Sequence, residues 1–509
     1  MWIVPLAREA DAVQIAPAAR IRGKRKMDNK QGIYDARKLG KPKMLMLGAQ
    51  HMFAMFGATI LVPVLTGLDV STTLLMAGLG TLLFHVLTKF KVPAFLGSSF
   101  AFLVGYDAVK DMAKNGAEPV EMLPYACLGV ACAGLLYLVL ALVIKSIGAE
   151  RVMRFFPPVV TGPIIIAIGL GLAPTAVGSC QTNWILAFVA FATIIIFNIW
   201  GRGMAKIIPI ILGLLIAYGV GLIFYFIARE NPSLIQDYPW LFSGSVEPIV
   251  DAENNIIGTR PGAIYDFSAL HTVLNNIASG EIFSSEGLVG LPIKWEKTVF
   301  GGIDWSDGGL ILSAIVAIVP ISFATMMEHV GDISAIGSTV GRNYISDPGL
   351  HRTLLGDGLA TTIASLFGGP ANTTYGENTG VLALTKVYDP RVVRLAACFA
   401  VGVSFFPIVP ALILSVPQCI IGGISFVLYG MISAIGVRNV VENKVDFTKS
   451  RNLIIAAVIL VCALGLSSDT VSFSIASVNI KLSPLAVASI AGIVLNAVLP
   501  GKDYKFKKQ

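Results

Sequence analysis

Residues Gly368–Gly380 read GGPANTTYGENTG and interrupt a chain otherwise dominated by apolar runs of membrane length. A shorter interruption, Gly97-Ser98-Ser99-Phe100-Ala101-Phe102, breaks an earlier run. Gly and Pro disfavour a helix interior, whereas Ser, Phe, Thr and Tyr suit extended backbone. Peptide groups at membrane depth find no water, so non-helical backbone survives there only where protein or an aqueous cavity satisfies it. Glycines can also serve simply to let helices pack closely, and a lone GxxxG would be read that way. Two breaks at matching positions, one carrying the acid Glu377, favour an enclosed site.

Working outward, hydrophobic residues make up 55% of the 509, charged ones 14%, and the mean hydropathy is +0.75. Soluble domains average roughly 25% charged residues, so lipid is this chain's main solvent. Runs near the ~20 residues that cross a bilayer recur along the sequence. They give fourteen expected spans, at 44–65, 71–88, 98–113, 123–146, 158–174, 183–201, 207–228, 309–335, 353–368, 372–387, 392–408, 409–436, 452–467 and 482–500. A polar stretch from about Arg229 to Trp305, with turn-like NPS, AENN and SDGG, divides them seven and seven. An odd number per half inverts the second half across the membrane, and each break falls in the third span of its half. The expected fold is an all-α polytopic membrane protein of two inverted seven-segment repeats.

The formal charge of +7 invites a nucleic-acid partner, but its distribution follows the positive-inside rule, and no nucleic acid is expected. With the N-terminus cytoplasmic, 31 of the 38 Lys and Arg fall on the inner side and seven outside. Inner loops carry Arg151/Arg154, Arg202/Lys206, Lys386/Arg391/Arg394 and Arg438/Lys444/Lys449/Arg451, so both ends are expected in the cytoplasm. The first membrane-length run follows the basic Arg20–Lys43 segment, which is not a cleavable signal pattern. Residues 1–26 differ in character from the rest, and Met27 begins an alternative start, so this extension is expected to be dispensable. Cys127, Cys132, Cys180, Cys398, Cys419 and Cys462 lie in or beside apolar runs without CxxC spacing. They are expected to be buried thiols rather than disulfides or metal ligands, and no metal or cofactor is implied.

Within IVPISFATMMEHVGDISAIG, Glu328 and Asp332 are four residues apart and share a helical face, with His329 turned about 100 degrees away. A charged acid inside a bilayer costs about 2.5 to 3.5 kcal/mol on insertion scales, so it faces the protein interior, pairs, or takes up a proton. The pair is thus either a proton carrier or a polar lock between two helices. Glu377 sits where a half-helix through Leu384 begins, near exposed N–H groups, as a ligand acceptor or a helix-capping acid. A neutral pyrimidine presents N–H donors beside C=O acceptors, and carboxylates next to backbone N–H groups would complement it. Phe100 and Tyr375 add flat apolar surface, although aromatics in spans more often serve packing. His51, in GAQHMFAMFGAT, either bonds across the core or packs within it.

AQHMFAMFGATILVP, PAFLGSSFAFL, MMEHVGD, GGPANTTYGENTGVLALTKVYDPRV and VENKVDFTKSRNLIIA together resemble the nucleobase/ascorbate transporter family, in particular its bacterial uracil carriers, over about residues 40–500. Glu377-Asn378-Thr379-Gly380 through Thr385-Lys386 matches the family's signature of an acid or amide, Asn-x-Gly, then Thr and a basic residue. The resemblance implies short antiparallel strands in spans 3 and 10. It also implies a core domain (44–146 and 309–408) and a gate domain (147–228 and 409–500). Residues 1–43 would be a cytoplasmic segment, 229–308 an extracellular loop and 501–509 a cytoplasmic tail. By the same comparison, Glu328 and Glu377 contact uracil through their side chains, Phe100 and Gly376 through backbone, and Tyr375 lines the site. Glu328 is then the leading protonation site, with His51, His329, Asp332 and Asn378 in proton coupling and support. Asp332 stands where some uracil carriers have a His, so a carboxylate pair here must share a proton or repel. The 229–305 segment is expanded relative to compact members, as an external cap or a tolerated loop.

The function implied is proton-coupled uracil uptake across the cytoplasmic membrane, by elevator-like or rocking motion with the Gly/Pro-rich spans 5 and 12 as pliable contacts. A homodimer is expected by resemblance only. Purine carriers of the family usually have Gln at the position of Glu377, and a xanthine or uric acid symporter is the alternative. An anion carrier or channel should place cations at the breaks instead. A membrane hydrolase using His51, His329 and Asp332 lacks any HExxH or GxSxG constellation, so no enzyme is expected.

Overall fold

Hydrocarbon forces each span to satisfy its own peptide groups, and helices dominate accordingly. The computed structural model describes residues 32–113, 118–250, 256–466, 472–475 and 478–501. The 1–26 extension and Met27 lie outside the described residues, as does the side chain of Glu377. Among the described residues, seven helices are long and apolar enough to cross a membrane: Lys41–Thr66, Val70–Leu87, Pro119–Ile147, Pro158–Cys180, Pro209–Glu230, Gly308–Val340 and Gln418–Glu442. An eighth is added if Pro390–Ser404 and Ile408–Leu414, bent by 85°, count as one span. Trp184–Trp200, Ser450–Gly465 and Pro484–Val498 are shorter apolar helices. Leu350–Leu366 is a further helix, and Leu103–Lys110 and Gly376–Thr385 are short helices that follow the two breaks.

Several boundaries differ from the sequence expectation. The run 409–436 is not one helix. Its start lies in Ile408–Leu414, and the long helix begins only at Gln418. Pro407 and Pro417 lack the amide proton that would carry a helix through these points. The Gly308–Val340 span passes through a short 3-10 segment, Val319–Ile321, around Pro320 for the same reason. Two hairpins, Ser245–Val250 with Ile256–Gly262 and Ser472–Ile475 with Val478–Lys481, were not anticipated. Of the six thiols, Cys127, Cys180 and Cys419 are buried, Cys132 and Cys462 half-buried, and Cys398 is exposed, against expectation.

Packing among the helices rests on small residues, because lipid leaves apolar side chains no gain from merely meeting one another. The Leu123–Ile147 and Leu350–Leu366 helices approach so closely that a Cβ on Gly134 would lie 2.8 Å from Gly358 O, and one on Gly358 2.8 Å from Gly134 O. Pro158–Cys180 runs against Gln418–Glu442 in the same way, a Cβ on Gly436 falling 2.8 Å from Gly162 O. Val70–Leu87 packs on Pro390–Ser404 and on Leu350–Leu366, and Trp184–Trp200 on Pro209–Glu230.

The segment between Glu230 and Gly308 is anchored at both ends to different helices. Asn183 Nδ2 donates to Leu241 O (3.0 Å) and Ser243 O (2.8 Å), and Tyr265 OH donates to Tyr218 O (2.6 Å). Further along, Gly290 N donates to Phe405 O (2.9 Å), Lys294 Nζ lies 3.6 Å from Asp69 Oδ2, and Thr72 donates to Pro292 O. The Ser268–Ala278 helix joins these two halves.

Before the first span, residues 33–39 clip onto the 386–391 turn. Ala36 N donates to Asp389 Oδ2 at 2.7 Å, and Arg391 Nη1 lies 3.0 Å from Asp35 Oδ1. The Arg37 side chain bonded to Asp35, with help from Arg391, holds that carboxyl down at about 2 from 3.8. A folded value below the unfolded one contributes stability above the unfolded pKa, lost as pH falls toward about 2. Changes of pH near neutral therefore leave this clip intact.

Candidate functional site

The two breaks meet. Leu96–Ser98 and Asn372–Thr374 form an antiparallel pair, with Leu96 opposite Thr374, Gly97 opposite Thr373 and Ser98 opposite Asn372. Ser99 N to Ala371 O (3.0 Å) and Tyr375 N to Phe95 O (2.9 Å) extend the ladder. Neighbouring spans satisfy what remains, as burial at membrane depth demands. Thr81 Oγ1 accepts from Leu96 N (2.9 Å), Thr361 Oγ1 donates to Asn372 O (2.7 Å), and Asn372 Nδ2 donates to Met76 O (2.7 Å). Ser98 Oγ donates to Thr59 O (3.1 Å).

Beyond the strands, the chain enters the Phe100–Phe102 turn on one side and the Gly376–Thr385 helix on the other. Tyr375, the residue before that helix, gives its first turn no side-chain cap. A helix start of this kind offers N–H groups to a ligand. Phe100 is half-buried, its ring edge-on to Tyr429 of the Gln418–Glu442 helix at 6.2 Å. The Tyr375 hydroxyl donates to Ser98 O at 2.9 Å and lies 3.3 Å from Thr59 Oγ1. Its ring lies over Gly97, so it packs into the strand pair. Tyr375→Phe removes a hydrogen bond worth about 1 kcal/mol and is expected to lower the thermal midpoint of detergent-solubilised protein. Tyr375→Ala, which also empties the space above Gly97, should lower it further.

Two polar clusters flank the pair. On one side Asp332 Oδ2 accepts from Thr374 Oγ1 at 3.2 Å, and a Cβ on Gly376 would stand 3.9 Å from Asp332 Oδ1. His329 Nδ1 lies 3.3 Å from the same Thr374 oxygen and 3.4 Å from Asp357 Oδ2, with both side chains fully buried. Glu328 and Asp332 are half-buried while His329 is buried, as their shared face on Ser322–Val340 requires. On the other side Asn378 Nδ2 bonds to Nδ1 (3.2 Å) and the carbonyl O (3.1 Å) of the buried His51. Glu377 is the second residue of the Gly376–Thr385 helix.

The structure thus gathers Phe100, Tyr375, Gly376, Asp332 and His329 around one strand pair, with Asn378 on His51 beside it. Sequence reasoning missed Asp357, although an acid in the apolar LLGDGLA stretch was a signal of the kind used for Glu328. It also missed Thr59, Thr81, Thr361 and Thr374, whose type carries no signal, since span threonines usually bond their own helix.

Several apolar helices and two interrupted spans meeting in the protein interior define the class, a multi-pass membrane permease. A family described as the Permease family matches residues 42–472. The chain belongs to this family, the nucleobase/ascorbate transporters, and is a transporter rather than an enzyme. It is 37% identical to the uracil permease of Bacillus caldolyticus over 467 residues, covering 90% of this chain and 92% of that one. The uracil permease of Bacillus subtilis is 36% identical (89% and 91% covered), and a putative pyrimidine permease of Escherichia coli 34% (90% and 89%). Among solved structures, the transmembrane domain of the cyanobacterial bicarbonate transporter BicA matches with TM-score 0.51 at 14% identity, over 91% of this chain and 99% of that one. SLC26A9 matches with TM-score 0.55 at 11% identity, over 91% and 66%. At such identities the likeness is one of fold alone.

Proposed function

We propose that this permease carries uracil inward across the cytoplasmic membrane together with a proton, by alternating access. The observation that carries this reading is the antiparallel meeting of the two breaks, with Asp332 bonded to one strand. Uracil is the substrate in the names of the Bacillus relatives. Its ring N–H groups would be accepted by Glu328 and Glu377, and its carbonyls would take backbone N–H groups of Phe100 and Gly376, with Tyr375 alongside. Glu328 would carry the proton, supported by His51, His329, Asp332 and Asn378.

The architecture we propose is fourteen spans in two inverted repeats, with core (44–146, 309–408) and gate (147–228, 409–500) moving against each other. In support, Pro158–Cys180 packs on Gln418–Glu442 within the gate, and Leu123–Ile147 packs on Leu350–Leu366 within the core. The Lys and Arg distribution favours cytoplasmic termini. A homodimer is part of the proposal by family resemblance.

Radiolabelled uracil uptake into proteoliposomes, with and without an inward proton gradient and with xanthine as competitor, tests the function. Gradient-stimulated uptake that xanthine leaves intact is expected. Uptake indifferent to pH would remove proton coupling, and xanthine uptake without uracil uptake would make this a purine carrier. Glu377→Gln turns an acceptor oxygen into a donor facing a ring N–H and is expected to weaken uracil binding about tenfold, or about 1.4 kcal/mol, by calorimetric titration.

A further inference from the structure

The proposed function gives His329 a supporting part and Asp357 none, yet the two form a buried pair. We propose that it receives the proton released by Asp332, with Thr374 as the relay; this rests on the proton-coupled reading above.

The geometry around Thr374 limits what the hydroxyl can do. It has one proton and two acceptor lone pairs, and its oxygen stands between Asp332 Oδ2 at 3.2 Å and His329 Nδ1 at 3.3 Å. When Asp332 carries a proton, it donates to Thr374, and Thr374 donates to a bare Nδ1. Transfer breaks the Asp332 O–H bond and forms a new O–H on Thr374, whose own proton passes to Nδ1. Threonine ends unchanged, Asp332 becomes a carboxylate and His329 an imidazolium. Thr374 then donates to Asp332, so the hydrogen bond survives in both states with its direction reversed.

Asp357 makes the acceptor state tolerable. An imidazolium in a dry interior is costly unless paired, and Asp357 Oδ2 lies 3.4 Å from Nδ1. The Asp357 carboxyl faces the His329 ring and the Thr374 backbone, while His329 Nε2 is buried with no partner among the described residues. A ring bonded at both nitrogens would signal a structural lock; this one is held at Nδ1 alone.

Other groups approach from each packed element. The Ser322–Val340 helix itself carries Glu328 and Asp332. Leu123–Ile147 brings Tyr137, bonded to Thr325 Oγ1 at 2.5 Å and within electrostatic range of Asp357 and Glu328. Val70–Leu87 brings Phe84, edge-on to His329 at 6.5 Å, and His85, whose Nε2 is engaged by Ala94 O at 2.9 Å. The Gly376–Thr385 helix carries Glu377 in its first turn. Nδ1 itself has Thr374 Oγ1 at 3.3 Å and Asp357 Oδ2 at 3.4 Å as neighbours.

The test measures proton entry with a lumenal pH dye alongside uracil uptake in proteoliposomes. Thr374→Val, which keeps the shape and removes the hydroxyl, is expected to cut protons carried per uracil at least fivefold, and Thr374→Ser to restore the ratio. Asp357→Asn leaves the imidazolium less stabilised and should move the pH profile of uptake about one unit toward acid. Wild-type coupling in Thr374→Val, or an unmoved profile in Asp357→Asn, overturns the relay while leaving the transport reading intact. Wild-type uptake without proton entry overturns both. If Thr374→Val does not fold, Thr374→Ala makes the same measurement. If Asp357→Asn does not fold, infrared difference spectra of wild-type protein across the uptake midpoint replace it. Loss of a carboxyl band with gain of an imidazolium band supports the relay, and a carboxyl change alone overturns it.

Discussion

Glu328→Gln is expected to abolish proton-driven accumulation of uracil, lowering the steady-state gradient in energised proteoliposomes from many-fold to about one. Glutamine keeps the length and the carbonyl acceptor of the side chain but cannot take up and release a proton. An acid within a span is costly enough that it persists for pairing or proton uptake, and Glu328 is half-buried on the helix face that also carries Asp332. Exchange of labelled for unlabelled uracil needs no net proton movement, so it should outlast accumulation in this variant. The decisive measurement is accumulation against exchange at two external pH values. Wild-type pH dependence in Glu328→Gln would remove this residue from the coupling role, and loss of exchange along with accumulation would assign it to binding alone.

Gly97→Ala should be nearly as damaging, through packing rather than chemistry. A methyl group there would stand 2.6 Å from the Tyr375 ring and 2.8 Å from Thr59 Oγ1. That ring cannot simply swing aside, because its hydroxyl donates to Ser98 O and touches Thr59. Overpacking of a well-filled interior costs typically 1–3 kcal/mol, and relief by moving the ring would forfeit a buried hydrogen bond as well. Both breaks are held in register at this point, with Gly97 opposite Thr373, so displacement spreads to the first peptide groups of the following turn and helix. Uptake is expected to fall to about a tenth or less, since misplacing a binding geometry by about 1 Å can cost a hundredfold. Pairing Gly97→Ala with Tyr375→Leu should recover part of the loss, as neighbouring substitutions are non-additive. Uptake by Gly97→Ala equal to wild type would show that the strand pair tolerates spreading.

The contrast between Glu328 and Asp357 shows how much of the site was legible along the chain. Both are acids within apolar stretches, and the cost of placing a carboxyl there is a property of the local sequence. Glu328 stood out because it lies one turn from Asp332 on a predictable face. Asp357 has no such companion in sequence, and its partner His329 sits on another helix. The breaks at Gly97–Phe102 and Gly368–Gly380 were legible for the same local reason, since composition alone disfavours helix there. The end of the eleventh span was not, because whether a proline ends a span, bends it or starts the next depends on what packs around it.

Sequence alone determined that this chain lives in lipid, that apolar runs of membrane length recur along it, and that two of them are interrupted, because the penalty for polar or unpaired groups in hydrocarbon acts residue by residue. The tertiary structure alone decided that Leu96 lies opposite Thr374, that Asn378 bonds His51, and that Thr374 stands between Asp332 and His329. Those partners are far apart along the chain, and only the close approach of helices through their small residues brings them within reach of a hydrogen bond.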